Sequence, residues 1–152
     1  MAALRFATLL FAALAFAPAA AHLLELPNKI ALSREDYLVV QQIYRGWAWL
    51  GIVVVGALLS TLVLTILRFR RGLNAGWALA AFLCIAGTQA VFWSFTYPAN
   101  AQTLNWTVLP ASWPALRAQW EYSHAASAVL NLAALVALIL SELSDPSRRR
   151  GE

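Results

Sequence analysis

Four stretches of the 152-residue chain lack any charged residue over lengths that suit a lipid interior: 6–24, 46–67, 72–116 and 122–141. A bilayer core takes a helix of about 20 apolar residues, and the third stretch holds one span plus a loop. The pattern predicts an all-α integral membrane four-helix bundle, with spans near 4–26, 45–68, 75–97 and 118–142. Residues 1–143 then form one domain and 144–152 a polar cytoplasmic tail. The second and fourth helices should run past the bilayer on the outer side. Ser33 followed by Asp36 is an N-cap pattern ahead of helical periodicity that continues to about Arg68. Ser112-Trp113-Pro114 opens the fourth helix, which reaches about Leu143. Between them T-Y-P-A-N-A-Q-T-L-N-W-T-V-L-P, residues 96–110, predicts an irregular segment folded over the outer end.

Composition agrees, with 61% hydrophobic residues, 12% charged residues and a mean hydropathy of +0.65. Charge adds orientation. Arg5, Arg68, Arg70, Arg71, Arg148, Arg149 and Arg150 fall on one side, against Lys29, Arg34, Arg45 and Arg117 on the other. The positive-inside rule places the first set, and both termini, in the cytoplasm. Topology thus accounts for the arginine clusters, and no nucleic-acid partner is expected. Balanced against the outer cations are Glu25, Glu35, Asp36 and Glu121, which should pair with them. Arg5, the apolar run and Ala19-Ala20-Ala21 also fit a cleavable signal peptide. Retention is the favoured reading, because the run to Leu24 is long and four spans close a bundle. The single Cys84 excludes an internal disulfide.

Candidate chemistry gathers at the outer end. Six of seven tryptophans and all four tyrosines map there, either as an interface belt or as walls of a pocket for a flat apolar ligand. On the fourth helix Arg117, Glu121, His124 and Asn131 share one face, and Arg117 is in range to pair with Glu121. On the first helix His22 and Glu25 do likewise, and His22 and His124 are the only two histidines. Four readings compete. The residues could form a structural ion-pair lock between the helices. They could be acid–base machinery, with His124 as base. As H-x-x-E facing E-x-x-H, His22, Glu25, Glu121 and His124 could hold a transition metal. The two histidines could also be axial ligands of a haem. Around them Gln41, Tyr44, Trp93, Asn100, Trp106 and Trp120 are the candidate pocket walls, with Gln89 and Thr96 on the face of Trp93. Gly51, Gly56, Ser60 and Thr61 read as packing residues.

The stretches A-H-L-L-E-L-P-N-K (21–29), Q-Q-I-Y-R-G-W (41–47), F-T-Y-P-A-N (95–100), N-W-T-V-L-P (105–110) and L-R-A-Q-W-E-Y-S-H-A (116–125) carry a resemblance over about residues 20–140. The chain resembles the bacterial branch of the anthrone oxygenase-like family of small four-helix membrane proteins, most of whose members have no assigned function. The resemblance implies four retained helices, a bacterial inner membrane and an oxidoreductase that oxidises a phenolic ring ketone without a required cofactor. Arg117, Trp120 and His124 match the family's C-terminal motif. The function so implied puts a hydrophobic aromatic or quinone-like substrate between the first and fourth helices. His124 would be the base, Glu121 or Glu25 would orient it, and Arg117 would stabilise an oxyanion.

Overall fold

The computed structural model describes residues 1–144, and the expected tail from 145 onward lies outside the described residues. Helices α1 (Ala2–Lys29), α2 (Arg34–Gln41), α3 (Gly51–Arg70), α4 (Gly76–Val91), α5 (Tyr97–Gln102) and α6 (Trp113–Leu143) follow one another with no strand among the described residues. Four stretches, Ala2–Lys29, Trp47–Arg70, Gly76–Gln102 and Trp113–Leu143, are long and apolar enough to cross a membrane. α1 packs on α3 and α6, and α4 closes the ring between those two. Neighbours in chain order run antiparallel, the arrangement that short connections favour. The N-terminus and the 71–75 turn lie at one end. The opposite end, formed by residues 30–50 and 103–112, is called distal below.

Side-chain size is distributed as a lipid solvent requires. The shared core is built from Ala12, Ala57, Ala78, Ala81, Ala134 and Ala137, with Leu64, Ile85 and Leu138. Bulky Phe6, Leu24, Ile52 and Phe69 point outward. Lipid tails are as apolar as leucine, so small residues that bring backbones together contribute more to helix association than large ones. Gly56 is the tightest such contact, because a β-carbon there would sit 2.7 Å from the ring of Phe11. Gly51 has no neighbour that a β-carbon would meet, so it is not a packing residue. Thr61 turns its hydroxyl onto the Ala57 carbonyl of its own helix.

Two ion pairs tie α1 to α6. Arg5 lies 3.5 Å from Glu142 near the termini, and Lys29 lies 3.0 Å from Glu121 at the distal end. At ~1.5 Å per residue the two cations are about 36 Å apart along α1, slightly more than the ~30 Å of a hydrocarbon core.

Two elements depart from expectation. The second helical stretch does extend beyond its span, but it is not continuous. α2 is capped as predicted, with Ser33 Oγ accepting from the Asp36 amide at 3.1 Å. A short 3-10 turn over Gln42–Tyr44 follows, then Gly46 at φ +90, then a second 3-10 turn over Trp47–Leu50. Gly46 takes a left-handed conformation that side chains other than glycine's resist, and the corner it makes swings Tyr37, Gln41 and Tyr44 inward. The third stretch, conversely, is longer than predicted. Pro98 has no N–H to return to Ser94, yet the helix widens into a π turn over Phe92–Thr96 and continues to Gln102. Gln119 of α6 donates its Nε2 to the Phe95 carbonyl at 2.8 Å within that turn. The irregular segment is therefore only 103–112.

Candidate functional site

At the distal end the last turns of α1 meet the first turns of α6. His22, Glu25 and Lys29 recur at three and four residues, so they share one face of α1. Trp120, Glu121 and His124 meet that face from α6. Glu121 is 0% exposed and Lys29 4% exposed. Two charges removed that far from water are tolerable only when paired and hydrogen-bonded.

Lys29 supplies the pairing. Its Nζ lies 3.0 Å from Glu121 Oε1 and 3.8 Å from Glu25 Oε2, and it donates to the Tyr44 hydroxyl at 2.9 Å. The Tyr44 hydroxyl in turn donates to Glu25 Oε2. From the other side the Tyr37 hydroxyl donates to Glu121 Oε1 at 2.9 Å and accepts from Gln41 Nε2. The ammonium also lies 4.4 Å from the ring centre of Tyr44 and 4.6 Å from that of Trp120, within cation–π range. The result is one continuous polar chain, from Gln41 through Tyr37, Glu121, Lys29 and Tyr44 to the partly exposed Glu25.

Beside this chain the two histidines meet. Their ring centres are 4.2 Å apart. His22 also touches Tyr44, Trp120 and Trp47, at 4.6, 5.0 and 5.6 Å between ring centres. His124 lies 4.1 Å from Trp120. His22 Nδ1 is 4.0 Å from Glu25 Oε2, beyond hydrogen-bond length. His22 Nδ1, Glu121 Oε2 and Gln41 Oε1 are buried with no hydrogen-bond partner among the described residues. Buried polar atoms left this way are uncommon and call for a cause.

The segment after α5 roofs the cluster. Leu104, Asn105 and Trp106 take three successive positive φ values of 48, 55 and 61, a left-handed run that costs side-chain-bearing residues roughly 1–2 kcal/mol each. Hydrogen bonds hold it in place. The Trp106 amide donates to Thr103 Oγ1 at 3.1 Å, and Gln42 Nε2 donates to the Trp106 carbonyl at 3.0 Å. The turn drives the Trp106 indole inward, against Tyr37 and Trp120. Asn100 Oδ1 then accepts both indole N–H groups, at 3.1 Å from Trp106 and 2.8 Å from Trp120.

His22, Glu25, Glu121, His124, Gln41, Tyr44, Asn100, Trp106 and Trp120 are thus brought into one cluster. Arg117 belongs only to its edge. It makes no ion pair with Glu121; it donates to the Leu32 carbonyl at 2.8 Å and lies over the rings of Trp113 and Tyr37. Lys29 takes the carboxylate because it approaches from the facing helix. Trp93 is 61% exposed and packs on Phe92 and Tyr97. The π turn separates it from Thr96, whose hydroxyl is 2.8 Å from that of Ser123 inside the bundle. Asn131 donates to Ser127 of its own helix and stays apart from the site.

Among the described residues no group of three or more His, Cys, Asp or Glu side chains gathers as a metal site would require. Both carboxylates of the expected set close on Lys29 instead. Nor do the histidines suit axial haem ligation, since tilted rings with centres 4.2 Å apart leave no space for a porphyrin plane between them. Lys29 is the member of the cluster that sequence reasoning missed, whereas Tyr37 shares its helix face with Gln41 and Tyr44. Lys29 had a legible signal, standing four residues after Glu25 and seven after His22. No family model matches the chain, and neither does any curated protein or solved structure.

Burial pushes the Tyr37 phenol far up, and the charge and hydrogen bond of Glu121 push the same way. Tyr44 is raised by burial, then by its hydrogen bond to Glu25 and that carboxylate's charge. A raised native value means stability that is intact below the ordinary tyrosine value of about 10 and is lost as pH rises through the native one. Spectrophotometric titration with Tyr37→Phe and Tyr44→Phe as assignments should show both phenols un-ionised at about pH 11 in folded protein, roughly one unit above the ordinary value. Lys29→Met leaves a fully buried carboxylate without its cation and should cost roughly 3–5 kcal/mol. Thermal unfolding in detergent measures it, and a midpoint unchanged from wild type would contradict the assigned pairing.

Proposed function

We propose that the protein is an oxygenase-like membrane oxidoreductase, working by acid–base chemistry on a hydrophobic aromatic or quinone-like molecule at the distal end. The observation that carries this reading is the meeting of the chain's two histidines, 4.2 Å apart, beside linked carboxylates and inside aromatic walls. An imidazole so placed suits removal of a proton from a carbon next to a carbonyl. The electron pair of the broken C–H bond moves into the ring system and leaves negative charge on the carbonyl oxygen. Lys29, in place of Arg117, is the cation nearest that chemistry. The unpartnered Nδ1 of His22 and Oε2 of Glu121 give a polar substrate atom somewhere to bind. Dioxygen is the oxidant that the family resemblance implies: a ring methylene and O2 give a ring carbonyl and water.

A second reading has its own support. The network around Lys29 already joins α1, α2 and α6, as a structural lock in a non-catalytic subunit would. The two readings separate on one assay. Protein in lipid nanodiscs, mixed with anthrone in deuterated buffer, should accelerate exchange of the methylene hydrogens. His22→Gln and His124→Gln should keep the wild-type circular dichroism and thermal midpoint yet slow exchange by about 100-fold, the lower range for a lost general base. A wild type no faster than buffer, with variants altered only in thermal midpoint, would leave the structural lock.

We further infer a bacterial inner-membrane location with both termini in the cytoplasm, supported by the distribution of arginine. Alkaline phosphatase fused after Glu152 should then be inactive in intact cells, and an active fusion would reverse the orientation.

A further inference from the structure

A groove of about 590 Å³ runs between α1 and the Trp47–Leu50 turn. Leu14, Ala17, Pro18 and Ala21 line it from α1, and Gly46, Trp47, Trp49 and Leu50 line it from the other side. Its volume falls in the range of small-molecule sites, about 300–1,000 Å³. Three features suit it to a particular guest. Ala17, Pro18 and Ala21 line one side without bulky side chains, and the indoles of Trp47 and Trp49 line the other, aromatic surface that suits a planar ring. Pro18 has no N–H to give the Leu14 carbonyl, so among apolar walls one backbone acceptor is released for a hydroxyl donor. Trp47 is shared, since it lines the groove and also packs on His22 at 5.6 Å and Tyr44 at 5.0 Å. One indole therefore separates the groove from the paired histidines. That indole rides on a short turn between Gly46 and Gly51, and a β-carbon on either would meet nothing within 4 Å.

We propose that this groove is the lateral binding site through which a flat, apolar phenol leaves the outer leaflet and reaches His22, with Trp47 as the movable partition. The proposal rests on the function proposed above for the chemistry at its inner end, and it adds where the ring compound binds and how it arrives. A phospholipid acyl chain is the rival occupant. It has no hydroxyl for Leu14 and no ring to stack on an indole.

The test uses the full chain in nanodiscs and para-hydroxybenzophenone, a photoreactive phenol, as the probe. Illumination followed by peptide mass spectrometry should place adducts on the 14–21 and 46–50 segments, and excess naphthol should suppress them. Ala21→Leu, which fills the side without bulky residues, should lower that labelling by about tenfold, a typical loss for one methylene-scale clash in a fitted site. Trp47→Ala should carry adducts through to His22. Adducts spread over all outward helix faces and indifferent to naphthol would mean ordinary lipid occupancy and overturn the site. Labelling unchanged in Ala21→Leu would overturn it as well. The two proposals fail separately. Specific labelling without catalysed anthrone exchange sinks the acid–base reading and leaves the groove, whereas exchange without specific labelling does the reverse.

Discussion

An ammonium withdrawn from water must be satisfied by whatever surrounds it, and at Lys29 that demand draws three segments together. Glu121 comes from α6, Glu25 from the preceding turn of α1, and Tyr44 from the corner between α2 and α3. Each partner is then fixed by a second contact. Tyr37 holds Glu121 and Gln41 holds Tyr37, so α2 is pinned over a bundle against which it makes few other polar contacts. The aromatic faces of Tyr44 and Trp120 complete the shell around a cation that has no water to turn to. Removing the lysine would strand charge on every side of it, whereas removing one tyrosine would leave the ion pair standing.

The rings close over this network by a different kind of force. The left-handed turn at Leu104–Trp106 is unfavourable on its own and persists because the indole it delivers is buried and hydrogen-bonded. Asn100 serves two indoles with one oxygen, which fixes the mutual placement of Trp106 and Trp120 and through Trp120 the position of both histidines. Strain in the backbone and order in the site are therefore coupled: relaxing the turn would loosen the wall against which the imidazoles rest.

How much of this the sequence disclosed follows from the range of each force. Membrane spans depend on composition over about 20 residues, and the four charge-free stretches marked them well. The cap at Ser33 is a local signal and was legible for that reason. Continuity from Asp36 to Arg68 was not, because periodicity persists through Gly46 while the backbone turns there. Pro98 misled in the opposite sense, since a π turn and the side chain of Gln119 absorb a proline that would otherwise end a helix. At the site, the shared faces of His22 with Glu25 and of Glu121 with His124 were visible as spacings. Which cation would reach Glu121 was not: Arg117 is near in sequence, but Lys29 is near in space across the α1–α6 contact, and only packing decides between them.

The two ion pairs that tie α1 to α6 join the first described helix to the last. A nascent chain lays down Lys29 long before Glu121 exists, so until the final helix arrives the ammonium has only Glu25 of its own helix to pair with. Helix α3 can settle on α1, and α4 on α3, through alanine contacts, but neither offers that ammonium a second carboxylate. Completion of the bundle is thus an electrostatic event as well as a steric one. An interrupted chain would differ from a finished one not only in shape but in holding, at the end of α1, an ammonium without its buried counter-ion.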